Sequence, residues 1–195
     1  MKRATRRSGV FFDTLWDLLA NRRPERSNSK LSVSQSRQVT RPNGSQKRSR
    51  PESGHGTGRR PSMQARYDAL VIEMKSTYGF RIRRWRRATT GCAYLITYRD
   101  GSIARLVESP YPTGPVSCAV FLHEVGHHAI GFGVHRPRCL EEYHAWRWSL
   151  EMMERKGFRI TAAVERRMDA ALRYAVEKAV RRGIRRIPPE LREYV

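Results

Sequence analysis

Cysteine is scarce in this sequence, with three in 195 residues. Three thiols cannot all pair within one chain, which argues against a disulfide scaffold and for a reducing compartment, the cytoplasm. Long apolar runs are also missing. None approaches the ~18 residues a membrane span needs, so no membrane-spanning segment is expected. Acidic side chains are few: 18 Asp and Glu face 39 Lys and Arg, a formal net charge of +21. Hydrophobic residues make up 39% of the chain, thin for a compact core of this length, so part of the chain is expected to lie outside it. The charge predicts attraction to nucleic acid or anionic surfaces and says nothing about the fold.

The composition is uneven. Residues 1–60 hold 15 Lys and Arg against 4 acids, and residues 61–195 hold 24 against 14. Beyond Arg22 the first part is rich in Ser, Arg, Gly and Pro. It cannot bury enough apolar area to offset roughly 1–2 kcal/mol of ordering entropy per residue. Residues 1–61 therefore read as a disordered basic tail. One island interrupts it near 10–20, where Phe11, Phe12, Leu15, Trp16, Leu18 and Leu19 suit a short amphipathic helix. Such a helix fits a partner or a membrane surface. Asp13 and Asp17 inside the run, and Asn21-Arg22-Arg23-Pro24 after it, do not suit a signal peptide. Met63 stands where the ordered pattern begins, as an alternative start would.

From Ser62 onward, residues 62–195 read as one α+β domain. Ser62 suits the N-cap of a helix with Tyr67, Leu70, Val71 and Met74 at helical spacing, ended by Gly79. Phe80, Ile82 and Trp85 open a basic strand. Strand formers fill 92–98 and 103–107, and Asp100-Gly101 between them signals a hairpin. A stiff Pro-rich loop, 109–115, leads to a helix over 116–131. Two further helices are expected, from Leu140 to about Lys156 and from Thr161 to Arg182.

The chemistry lies in the helix 116–131, which contains His123-Glu124-Val125-Gly126-His127. Histidines four apart stack one turn above the other on one helix face. Both imidazoles can reach one ion at the ~2.0–2.1 Å that zinc prefers. Glu124 beside them can take a proton from water whose pKa the ion lowers from 15.7 to about 7. An H-E-x-x-H arises by chance in roughly one such chain in a hundred, so context must decide. Here Val116, Ala119, Val120, Phe121 and Leu122 make the helix apolar and buried, and buried polar groups need partners.

A catalytic zinc needs a third protein ligand. His128, His135, Cys139, Glu141, Glu142 and His144 are the candidates downstream. A third-histidine pattern would need Gly at 130 and His at 133, where the chain has Ile130 and Gly133. His128 points about 100° around the helix from His127. Glu142 and Ala145 share a face of the next helix, and a small residue there lets two helices come close.

The segment His123–His127, followed by Glu142-Tyr143-His144-Ala145-Trp146, resembles the zinc metallopeptidases of the ImmA/IrrE type. In that family a Glu three residues before an Ala supplies the third ligand. The resemblance implies His123, His127 and Glu142 as zinc ligands and Glu124 as general base. The preceding α-β-β order is similar to a minimal zincin-like domain, with a small sheet and a helix bundle carrying the motif. The likeness covers about residues 65–156. After Ala145 this chain has Trp146, where the family usually has Asn or Asp. An intracellular protein is the implied substrate, and many relatives are linked to transcriptional repressors. Glu141 is an alternative ligand, and His144 would serve one in a SprT-type repair protease. A non-peptidase zinc hydrolase and a DNA-associated protein with a non-catalytic zinc are the rival classes.

Outside this motif, Arg83, Arg84, Arg86 and Arg87 flank Trp85 in a pattern suited to phosphate contacts with a stacking group. Such contacts would be electrostatic and without base specificity. A solvated edge strand protected by charge has the same pattern. His135 near the cleft suits either an oxyanion donor or a surface loop. Cys92, Cys118 and Cys139 read as small buried hydrophobes.

Overall fold

A computed structural model describes residues 61–195. The expected basic tail and its helix near 10–20 lie outside the described residues. The rest is α+β: helix α1 (Met63–Tyr78), strands β1 (Arg81–Arg86), β2 (Cys92–Thr97) and β3 (Ile103–Pro110), helices α2 (Pro115–Ile130), α3 (Arg138–Arg155) and α4 (Ala162–Arg181), then a 3₁₀ turn (Pro189–Tyr194).

Local chemistry sets the ends of α1. The Ser62 hydroxyl accepts the amide hydrogen of Ala65 at 3.1 Å, which satisfies a donor the helix leaves unpaired. Gly79 stops the helix at φ 63°, in the left-handed region that glycine enters without cost. Tyr67, Leu70, Val71 and Met74 point inward, one stripe at helical spacing.

The sheet has the order β1-β3-β2. β2 and β3 form the expected antiparallel hairpin, with Thr97 opposite Ile103 and Cys92 opposite Glu108. Gly101, at φ 80°, closes its turn. β1 pairs on the other side of β3 in parallel, with an irregularity between Ile82 and Arg84. β3 runs on to Pro110, into what the sequence suggests is loop.

α2 packs against β3, β2, α1, α3 and α4. All eleven residues from Cys118 to His128 are buried. Each fully buried Val, Leu or Phe contributes roughly 1.5–3 kcal/mol of transfer free energy, so this helix is the centre of the core. It crosses α3 at close range. A methyl placed on Gly126 would lie 2.8 Å from the carbonyl oxygen of Ala145. The Ser149 hydroxyl donates to the Ala119 carbonyl at 2.8 Å and ties the two helices one turn further along. α4 covers them with Val164, Leu172, Val176 and Ala179.

Candidate metal centre

The last two turns of α2 bring His123, Glu124 and His127 into the core, at 5%, 2% and 2% exposure. A helix buried all round has no solvated face for these groups, so their partners must come from the protein or from an ion. α3 supplies them. The Oε2 of Glu142 lies 3.2 Å from the Nε2 of His123 and 3.6 Å from the Nε2 of His127. The three donor atoms all fall within 4.8 Å of one another. Ligands ~2.0–2.1 Å from a tetrahedral zinc stand about 3.3 Å apart, so this group can hold a metal ion. Among the described residues it is the one cluster of three such donors.

Glu141 and Glu142 are adjacent but take different parts. The Oε1 of Glu141 meets the Nδ1 of His127 at 3.1 Å. That bond favours the Nδ1–H tautomer and leaves Nε2 facing Glu142. The other Glu141 oxygen accepts the Gly133 amide at 2.9 Å. Arg138, one turn earlier, donates to the Oε1 of Glu141 at 2.7 Å and of Glu142 at 3.0 Å. One oxygen of Glu142 is thereby held by the guanidinium and the other faces the imidazoles. His123 is fixed differently: its ring stacks on Trp146 with centroids 4.4 Å apart, and its buried Nδ1 makes no hydrogen bond.

The buried charges settle one another. Burial pushes the Glu124 carboxyl up, to about 8, against the nearby positive His127. Burial alone would lower His127, but Glu142 and Glu141 outweigh it and raise it to about 9. Burial works against the Glu142 carboxylate too, yet His127 and His123 hold it well below the usual carboxylate range. His123 falls to about 4, chiefly through burial.

No family model, curated protein or solved structure matches this chain. The site therefore stands on its own geometry. The structure brings Glu142 into the cluster beside His123 and His127, and gives Glu141 a supporting bond to His127. His128 leaves the cluster and sets its Nε2 3.3 Å from the Leu106 carbonyl. His144 stacks on His135 at 3.9 Å. Neither of these belongs to the three-donor group, nor does Cys139, which is buried.

The four arginines around Trp85 divide. Arg83 and Arg86 both bind the buried Glu108, each at 2.8 Å, so these two form a structural ion-pair network. Arg84 and Arg87 are exposed. Trp85 rests edge-on against Tyr111 at 4.8 Å and is 37% exposed.

Three residues at the site escape a reading of the motif alone. Arg138 has a plain signal: it precedes Glu141 and Glu142 by three and four positions, the spacing of helical ion pairs. Arg167 stands among the many Lys and Arg of α4, one turn after the buried Val164. Gly126 belongs with them, since its missing side chain lets α2 and α3 meet.

Proposed function

We propose that the chain is a zinc metallopeptidase of the ImmA/IrrE kind, acting on a peptide bond of an intracellular protein. One observation carries the reading: a buried carboxylate, Glu124, stands beside a convergent two-imidazole, one-carboxylate cluster without belonging to it. A structural zinc is closed by four protein ligands and has no use for a further buried acid outside them, whereas three ligands leave a position open for water. Two nitrogens and one oxygen suit zinc among the common ions.

His123 Nε2, His127 Nε2 and Glu142 Oε2 would hold the ion. When bound, it supplies a Lewis acid for the substrate carbonyl and a water acidic enough to lose a proton near neutrality. The chain's own groups do the rest. Glu124 takes the proton from the attacking water and hands it to the departing amide nitrogen. A carboxyl whose burial raises its proton affinity can do both. Glu141 keeps His127 in the tautomer the cluster needs, and Arg138 holds one oxygen of Glu142 so that the other faces the imidazoles.

The test uses the full chain. The purified protein is expected to hold one zinc, and His123→Ala or His127→Ala to lose most of it. Glu124→Gln should keep both zinc and fold and lose hydrolysis by about 10²–10⁴-fold, because an amide cannot accept the proton. Proteomic comparison of cells carrying the wild type and Glu124→Gln identifies the substrate. Full zinc retention in both histidine variants would overturn the site, and undiminished cleavage by Glu124→Gln would overturn the mechanism.

A further inference from the structure

Arg167 lies on α4 between the core residues Val164 and Leu172. Its guanidinium donates to the carbonyl of Thr89 through Nε at 3.4 Å and Nη2 at 3.1 Å. The same group sits 5.5 Å from the centroid of the Trp146 ring, the ring that backs His123. One side chain thus reaches both the support of a candidate ligand and the segment that leads from β1 into β2.

That segment matters because of Gly91. A methyl at Gly91 would fall 2.3 Å from Glu124 Oε1 and 2.4 Å from its Cγ. The Gly91 backbone therefore lies directly against the Glu124 carboxylate, and a hydrogen is all the space admits. Thr90, between Thr89 and Gly91, is held from the other side: Arg86 Nη1 donates to its hydroxyl at 3.2 Å, and Arg86 is itself anchored on Glu108. Residues 89–91 are pinned at two points, by β1 and by α4. Taking a guanidinium out of water is costly, and Glu124 and Glu142 offset only part of that cost for Arg167, whose proton affinity burial still lowers. An apolar side chain would fill the same place more cheaply. It would lack the bond to Thr89.

We propose that Arg167 is the positioning residue of the general base: it ties Thr89 to α4, keeps Gly91 pressed on Glu124, and so fixes where that carboxylate points. The inference rests on the metallopeptidase reading, and the experiment separates the two. The full-length protein is loaded with cobalt(II) and titrated with acetohydroxamate, following the visible spectrum. A hydroxamate binds the ion and shares its proton with the adjacent base, so its affinity reports the position of the carboxylate.

Glu124→Gln is expected to weaken the probe about tenfold, the scale of one hydrogen bond to a charged group. Arg167→Met should weaken it roughly three- to tenfold with full cobalt content. Arg167→Lys keeps the charge but offers Thr89 a single donor, and should fall between Arg167→Met and wild type. Gly91→Ala should weaken the probe as well. The double variant Arg167→Met/Gly91→Ala should be about as impaired as Gly91→Ala alone, because both act through one segment. Additive losses would overturn the proposal. So would wild-type affinity in Arg167→Met, or in Arg167→Lys should the methionine variant fail to fold. If Glu124→Gln binds the probe as tightly as wild type, the general-base reading falls and the inference falls with it. Impairment in Glu124→Gln with none in Arg167→Met removes the inference alone.

Discussion

His127 meets a carboxylate at each ring nitrogen, Glu141 at Nδ1 and Glu142 at Nε2. These raise it to about 9, so at neutral pH the metal-free cluster keeps a proton where an ion would bind. Zinc must expel that proton. Below pH 9 the two compete, so apparent zinc affinity should climb about tenfold per unit from pH 6.5 to 9 and then level. Competition against a chromophoric chelator across that range checks this, and a flat profile would remove His127 from the ligand set. The same shift bears on the metal-free fold. The folded value lies above the unfolded 6.5, so the proton's contribution to stability is complete below 6.5 and is lost as pH rises through 9. His123, Glu124 and His127 are legible from spacing, since a four-residue repeat fixes one helix face. Glu142 is not separable from Glu141 in that way. Adjacent residues differ by 100° on a helix, and only the packing of α3 decides which one faces the cluster. Arg167 is hidden for another reason: composition counts it among the charges of a covering helix, and burial reveals itself only in the tertiary contacts.

At the scale of elements, the distance between α2 and α3 rests on Gly126. Alanine would gain about 1 kcal/mol of helix propensity there. Its methyl would meet the Ala145 carbonyl at 2.8 Å, with the Ala145 Cα and the Trp148 ring at 3.3 Å. Backbone cannot rotate aside as a side chain can, and overpacking costs about 1–3 kcal/mol. The second effect should win. Gly126→Ala is expected to lower unfolding free energy by up to about 2 kcal/mol in denaturant titrations, and to weaken zinc by moving His127 away from Glu142. Stability and zinc affinity equal to wild type would show that the helices have room to spare. The helices and the β2–β3 hairpin are readable from periodicity, caps and Asp100-Gly101. The place of β1 is not. Its parallel pairing with β3 is a long-range choice, and its sequence of charges looks the same in a free loop.

Charge is a property of the whole molecule. Of the four arginines around Trp85, Arg83 and Arg86 are committed to Glu108, which leaves Arg84 and Arg87 exposed for a polyanion. We propose non-specific nucleic-acid contact by the full chain, carried by 1–61 more than by the sheet. Binding to duplex DNA should then fall steeply with salt, each neutralised phosphate adding about −0.9 to the log–log slope. Deleting 1–61 should make the slope shallower. Arg84→Ala with Arg87→Ala should reduce it slightly further, and leave the proposed hydrolysis intact. No measurable binding at about 50 mM salt would confine the charge to solubility. Among the described residues no helix is long and apolar enough to cross a membrane.

The burial of Cys92, Cys118 and Cys139 governs how the protein meets oxidants and alkylating agents. The thiolate is the reactive form. Burial pushes Cys118 up to about 12, so on the order of one part in 10⁵ is ionised at pH 7, and burial raises Cys139 as well. The native protein should therefore resist iodoacetamide, and the denatured chain should take three labels. Cys139 stands two residues before Glu141 in the first turn of α3. In zinc-loaded protein, stripping the ion with a chelator should speed alkylation there before Cys118 reacts at all, as mass spectrometry of timed samples would record. Labelling of Cys118 first would place the weakest point of the fold in α2 instead.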